Sequence, residues 1–163
     1  MRKSTLRRVS NRILGVLARF APGAYSVRPF LHKLRGVRIN GRVFIGDDVY
    51  MENEYPECIE LNEGAQVNLR CILIAHTRGS GRIVIGKDAF VGANCVLTAS
   101  PGATLRIGEG AVITTSSIIS SDVPAHTLVG NEKAKPIARA TISLAIDTPY
   151  EKFLAGLRPL KQK

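Results

Sequence analysis

His76 interrupts an otherwise regular apolar pattern: "LIAHTRGSGRIVIG" runs apolar to Ala75, breaks at the histidine, and resumes at Ile83. An imidazole titrates near 6.5 when unperturbed, so it can take a proton from a hydroxyl or amine near neutral pH. Three polar residues share its place in the pattern: Glu54, Ser100 and Asp122. A carboxylate such as Glu54 could hold the second ring nitrogen and fix the tautomer. The same glutamate could equally be a solvated loop acid, and His76 a surface histidine. Deciding between these requires the elements that carry them.

The middle of the chain repeats every six residues. An aliphatic residue begins each unit, Gly or Asn often follows, and a small residue stands four positions on: "INGRVF", "IGDDVY", "VNLRCI", "IGKDAF", "VGANCV", "IGEGAV". Six suits neither a helix nor a hairpin. It suits a parallel β-helix in which three hexads close one triangular coil. The aliphatic residues face inward, and Val43, Ala65, Cys71, Ala89, Cys95, Ala111 and Ser117 fill the narrower inner sites.

Taken three to a coil, the inward residues are Ile39, Ile45, Met51; Leu61, Val67, Leu73; Ile85, Val91, Leu97; and Ile107, Ile113, Ile119. The spacing exceeds six only after Met51, Leu73 and Leu97. All three insertions therefore leave the same corner, and Glu54, His76, Ser100 and Asp122 form one column there. The loops "YPEC", "TRGSGR" and "PGAT" are expected to wall the site around His76.

This pattern resembles the hexapeptide-repeat acyltransferases, whose fold is a left-handed parallel β-helix. The resemblance covers about residues 35 to 140. "NEYPECIEL", "IAHT", "IVIGKDAFVGANCVL" and "DVPAHTLVGNEKAKPI" resemble members that O-acetylate cell-surface polysaccharides. It implies a mainly β chain with acetyl-CoA as acyl donor, His76 as general base, and direct transfer without an acyl-enzyme. It also implies a homotrimer with CoA held between subunits, a backbone N–H at Gly92–Ala93 as oxyanion donor, and Lys133 or Lys135 near the CoA phosphates. Asn53, Glu54, Asn68 and Ser100 are candidates for the acceptor side, a saccharide or lipid-linked saccharide. Asn68 also reads as a plain turn residue. Glu132 and one extra residue depart from the family's closing "VxGNPAKxI" stretch. No metal is implied.

Other readings compete. A γ-type carbonic anhydrase shares the fold, but its metal needs three converging histidines; of His32, His76 and His126, only His76 has a suitable setting, and the other two read as surface residues. N-transfer to an amino sugar or other amine is a second alternative. A non-catalytic scaffold binding lipid or nucleic acid is a third, although no nucleic-acid motif or stacking platform is present.

The flanks are basic. The formal charge is +10, and residues 1–42 hold eleven Arg and Lys and no acid. Residues 4–20 place Leu6, Val9, Ile13, Val16, Leu17 and Phe20 at helical spacing, with arginines on the other face. This stripe fits either a helix packed on its own domain or one resting on an anionic membrane. The expected segments are an N-terminal helical part (1–34), the β-helix (35–140) and a helical tail (141–163), its helix near "TPYEKFLAGL". Cys58, Cys71 and Cys95 lack CxxC spacing and read as buried free thiols of a reducing compartment. No apolar run approaches the roughly 20 residues of a membrane span and no leader pattern is recognised, so a cytoplasmic chain is expected, peripheral on the inner membrane face if the basic helix rests on lipid.

Overall fold

A computed structural model describes residues 4–76, 79–132 and 135–160. They fall into two compact units, one ending at Asn131 and one beginning at Glu132.

The first unit is a three-sided parallel β-helix of about four coils, with winding consistent with the expected left-handed form. Its first face stacks β1 (Arg38–Ile39), β4 (Ile59–Leu61), β7 (Arg82–Ile85) and β10 (Thr104–Ile107). The second stacks β2 (Phe44–Ile45), β5 (Gln66–Val67), β8 (Phe90–Val91), β11 (Val112–Ile113) and β13 (Leu128–Val129). The third stacks β3 (Tyr50–Met51), β6 (Ile72–Ile74), β9 (Val96–Thr98) and β12 (Ile118–Ile119). The register is the one the hexads imply. Ile39 pairs with Leu61, Leu61 with Ile85 and Ile107 with Ile85; Ile45, Val67, Val91 and Ile113 stack on the second face; Met51, Leu73, Leu97 and Ile119 on the third.

The inward residues form one continuous core, most of them fully buried. Burying each Leu, Ile or Val contributes about 1.5–3 kcal/mol, so a short coil gains stability mainly from the column above and below it. The small residues occupy the inner corners as expected, from Val43 to Ser117. Cys71 and Cys95 are two of them, and their thiols donate to the Gly92 and Thr114 carbonyl oxygens at 3.0 and 3.1 Å. Cys58 differs: it ends the 3-10 turn Pro56–Cys58 and is only half-buried. At the corners Asp48, Arg70, Asp88, Asn94, Ser116 and His126 adopt left-handed φ between 52° and 60°.

Two helices precede the coils. α1 (Thr5–Phe20) is capped by Ser4, whose side chain accepts from the Arg7 N–H, and α2 is Val27–Leu34. Both pack against the first coil, but not by their apolar stripes. α1 buries Asn11, Gly15 and Ala18; α2 buries Arg28, Pro29 and His32. His32, expected at the surface, is wholly enclosed, and neither ring nitrogen has a hydrogen-bond partner. His126 is exposed, as expected.

The second unit contains β14 (Ala138–Ala140), α3 (Tyr150–Ala155) and β15 (Leu157–Pro159). β14 and β15 pair antiparallel. The expected boundary at residue 140 thus falls inside this unit. The tail contains the expected helix, shorter than "TPYEKFLAGL", followed by a strand that the composition does not signal.

Candidate active site

Strand β6 ends at Ile74, and His76 follows where the chain leaves the prism. The three insertions do exit this corner, since β3, β6 and β9 share one face and each precedes a strand of the first face. His76 is half-buried. The Tyr55 ring lies against it, with centroids 4.6 Å apart and planes tilted by 43°. Tyr55 belongs to the first loop, directly after Glu54.

A cleft of about 530 Å³ opens at His76, lined by Tyr50, Glu52, Asn53 and Glu54 on one side and by Thr5, Arg8, Val9 and Arg12 of α1 on the other. The structure thus brings His76, Asn53 and Glu54 together, and adds a wall from the N-terminal helix. That wall follows from how α1 sits. Gly15 is set so close to the coil that a Cβ there would lie 2.8 Å from both Arg35 Nη1 and Asn53 Oδ1. Any side chain there would have to displace the Arg35 guanidinium or the Asn53 amide.

Arg35 fixes the other wall. It is 1% exposed, and its Nη2 donates to the carbonyls of Met51 and Glu52 and to Asn53 Oδ1, at 2.9, 2.5 and 2.8 Å. The backbone after β3 is thereby held where Asn53 and Glu54 enter the cleft. Asn11 Nδ2 reaches the Asn53 carbonyl at 3.4 Å, and Glu52 Oε1 accepts from the Glu54 N–H at 3.0 Å.

Glu54 does not take the place expected for it. Its carboxylate is held by Arg8 Nε at 2.5 Å. Among the described residues no carboxylate hydrogen-bonds the His76 ring. Tyr55, by ring contact, is the residue seen to restrain the imidazole.

The other candidates lie elsewhere. Ser100 is exposed in the third loop. That loop leans on the second rather than on the cleft: the Gly102 N–H donates to the Ser80 carbonyl at 2.7 Å. Asn68, Gly92 and Ala93 stand at the corner between the second and third faces, one prism edge away from His76. Asn68 Nδ2 donates to the Val91 carbonyl of the next coil at 2.9 Å, as Asn62 does to Ile85 at 3.0 Å, so it bridges coils. Gly92 is required by close packing, since a Cβ would lie 2.7 Å from the Thr115 nitrogen. The Ala93 carbonyl accepts from Ser116, while among the described residues nothing accepts from its N–H. Lys135 lies in the second unit and pairs with Glu132 at 2.7 Å; Lys133 lies outside the described residues. Among the described residues, no group of three His, Cys, Asp or Glu is placed to hold a metal ion.

Sequence reasoning did not reach Tyr55, Glu52, Arg8, Arg12 or Arg35. Tyr55 stood beside Glu54 and could have been found by its adjacency. The residues of α1 and Arg35 carry no local signal toward the loop.

No protein-family model matches the chain. The chain is similar to a 2,3,4,5-tetrahydropyridine-2,6-dicarboxylate N-acetyltransferase of Staphylococcus aureus (strain bovine RF122 / ET3-1), with 37% identity over 78 residues. That match covers 48% of this chain and 30% of the relative, so the chain spans less than a third of that protein. The enzyme of the same name from strain JH9 is 36% identical over the same length. YvoF of Bacillus subtilis (strain 168), a candidate acetyltransferase by its name, is 26% identical over 141 residues, which is 81% of this chain and 77% of that one. The chain is thus a parallel β-helix whose homologues are named acetyltransferases.

Proposed function

We propose that this protein transfers an acetyl group from acetyl-CoA to a hydroxyl of a sugar or cell-surface saccharide precursor, with His76 as general base. The observation that carries the reading is His76 itself. It is half-buried, restrained by Tyr55, and opens into a cleft that carries Arg12, Glu52, Asn53 and Glu54, at the one corner where the coils are interrupted. The names of the relatives supply the donor chemistry.

In this reading the imidazole removes the acceptor's proton as the acceptor oxygen attacks the thioester carbonyl carbon. The C–S bond then breaks, and the thiolate leaves and takes up the proton. The oxyanion needs a fixed donor. Ala93 N–H is a suitable one but stands at a different prism edge, so a neighbouring copy must bring it to His76. A homotrimer is therefore part of the proposal, supported by exposed apolar side chains on the coil faces such as Leu69, Ile72 and Ile118.

A second reading is transfer to an amine, favoured by the N-acetyltransferase names of the Staphylococcus relatives. Arg12 would suit an acidic acceptor in either case. The test incubates the chain with acetyl-CoA and, separately, a neutral saccharide, an amino sugar and an amino dicarboxylate, following thiol release. Products labile to hydroxylamine are esters and support O-transfer; stable products are amides and support N-transfer. Thiol release that no acceptor raises above the hydrolysis rate overturns both.

A further inference from the structure

Both N-terminal helices are mounted with their apolar sides outward. At 3.6 residues per turn, the buried face of α1 (Asn11, Gly15, Ala18) is opposite its apolar stripe, and the same holds for α2. Leu6, Ile13, Leu17 and Phe20 of α1 and Phe30 and Leu34 of α2 are exposed; Leu6 is 80%, Phe20 67% and Phe30 59% accessible. Packing against their own coils cannot explain stripes that point away from them. Contiguous exposed apolar surface on this scale marks an interaction site.

The charge around the stripes selects the occupant. Arg12 borders the α1 stripe and Lys33 lies beside that of α2, and residues 1–42 hold no Asp or Glu at all. A second copy docking by the same face would set cationic helices against their own copies. An anionic bilayer meets both demands: the apolar side chains enter the headgroup–acyl boundary while Arg12 and Lys33 stay level with the phosphates. No described helix is long and apolar enough to cross a membrane, so the helices lie on the surface.

We infer that the α1–α2 face docks on an anionic phospholipid bilayer. Val9 belongs both to the exposed stripe and to the lining of the His76 cleft, so the docked protein opens that cleft at the lipid surface. Resting on the transferase reading, this makes the acceptor one anchored in that surface; the docking itself does not depend on that reading.

Vesicle sedimentation of the full chain tests it, with phosphatidylcholine alone or mixed with phosphatidylglycerol. The expected result is partitioning at least about tenfold stronger to the anionic vesicles and weakened by salt. Leu6→Ser/Ile13→Ser/Phe20→Ser, at solvated positions, should abolish binding without moving the thermal transition. Arg12→Gln/Lys33→Gln should remove the anionic preference. Wild-type protein that stays in the supernatant overturns the proposal. So does a triple-serine variant that sediments like the wild type. A triple-serine variant whose oligomeric mass by light scattering falls assigns the stripe to contacts between copies and likewise overturns it.

Discussion

Arg8 of the N-terminal helix holds Glu54 of the first loop, Nε to carboxylate oxygen at 2.5 Å, across 46 positions of sequence. The pair ties α1 to the rim of the His76 cleft and engages the Glu54 carboxylate. Both side chains are more than a third exposed, so the pair is a positioning contact more than a source of stability.

Arg8→Ala and Glu54→Gln should therefore each lower stability by no more than about 1 kcal/mol. A double-mutant cycle on turnover should show the two losses to be largely shared. Fully additive losses would mean that Glu54 acts on the substrate directly, apart from Arg8.

His76→Ala should keep the fold and CoA binding while lowering turnover by about 10²–10⁴-fold, the usual contribution of a general base. Initial rates with acetyl-CoA, beside calorimetric CoA titration, separate the two effects. Near-normal turnover would remove His76 from the chemistry.

Tyr55→Ala should release the imidazole and reduce turnover, whereas Tyr55→Phe, which keeps the ring contact, should be close to wild type. An equal loss in both variants would point to the hydroxyl rather than to the ring.

Arg35→Leu should be costly. Each buried carbonyl left without its donor costs about 1–3 kcal/mol, and Arg35 serves those of Met51 and Glu52. Denaturant melts should show the loss. Any residual folded protein should also turn over slowly, because Asn53 and Glu54 lose their anchor.

His32 gives a pH signature. Burial, with the Arg35 charge added, lowers its pKa from 6.5 to about 3. Between those values the unfolded chain takes up a proton that the folded chain refuses. The neutral buried form is stable above about pH 6.5, and stability falls as pH drops toward 3, by up to about 1.4 kcal/mol per unit. His32→Leu removes two unsatisfied ring nitrogens and should flatten this acid limb relative to wild type. Parallel melts at pH 7 and pH 5 suffice; an unchanged difference between them would show that other groups set the acid sensitivity.

The sequence by itself determined the coils. A six-residue period places Ile39, Leu61, Ile85 and Ile107 in one column whatever else the chain does, because parallel strands stack in register only when their inward residues coincide. The same counting put all three insertions at one corner, and with them His76. What the tertiary structure decided is which side of each helix faces the coil. An amphipathic stripe says that a helix has two faces but not which one packs; small Gly15 and Ala18 allowed the closer approach, and the stripe was left outside. Three consequences follow from that orientation: Arg8 reaches Glu54, His32 is sealed among residues that offer it no partner, and the apolar stripe borders the cleft. None of these is written in local sequence, because each is a contact between segments whose distance in space no repeat or spacing constrains.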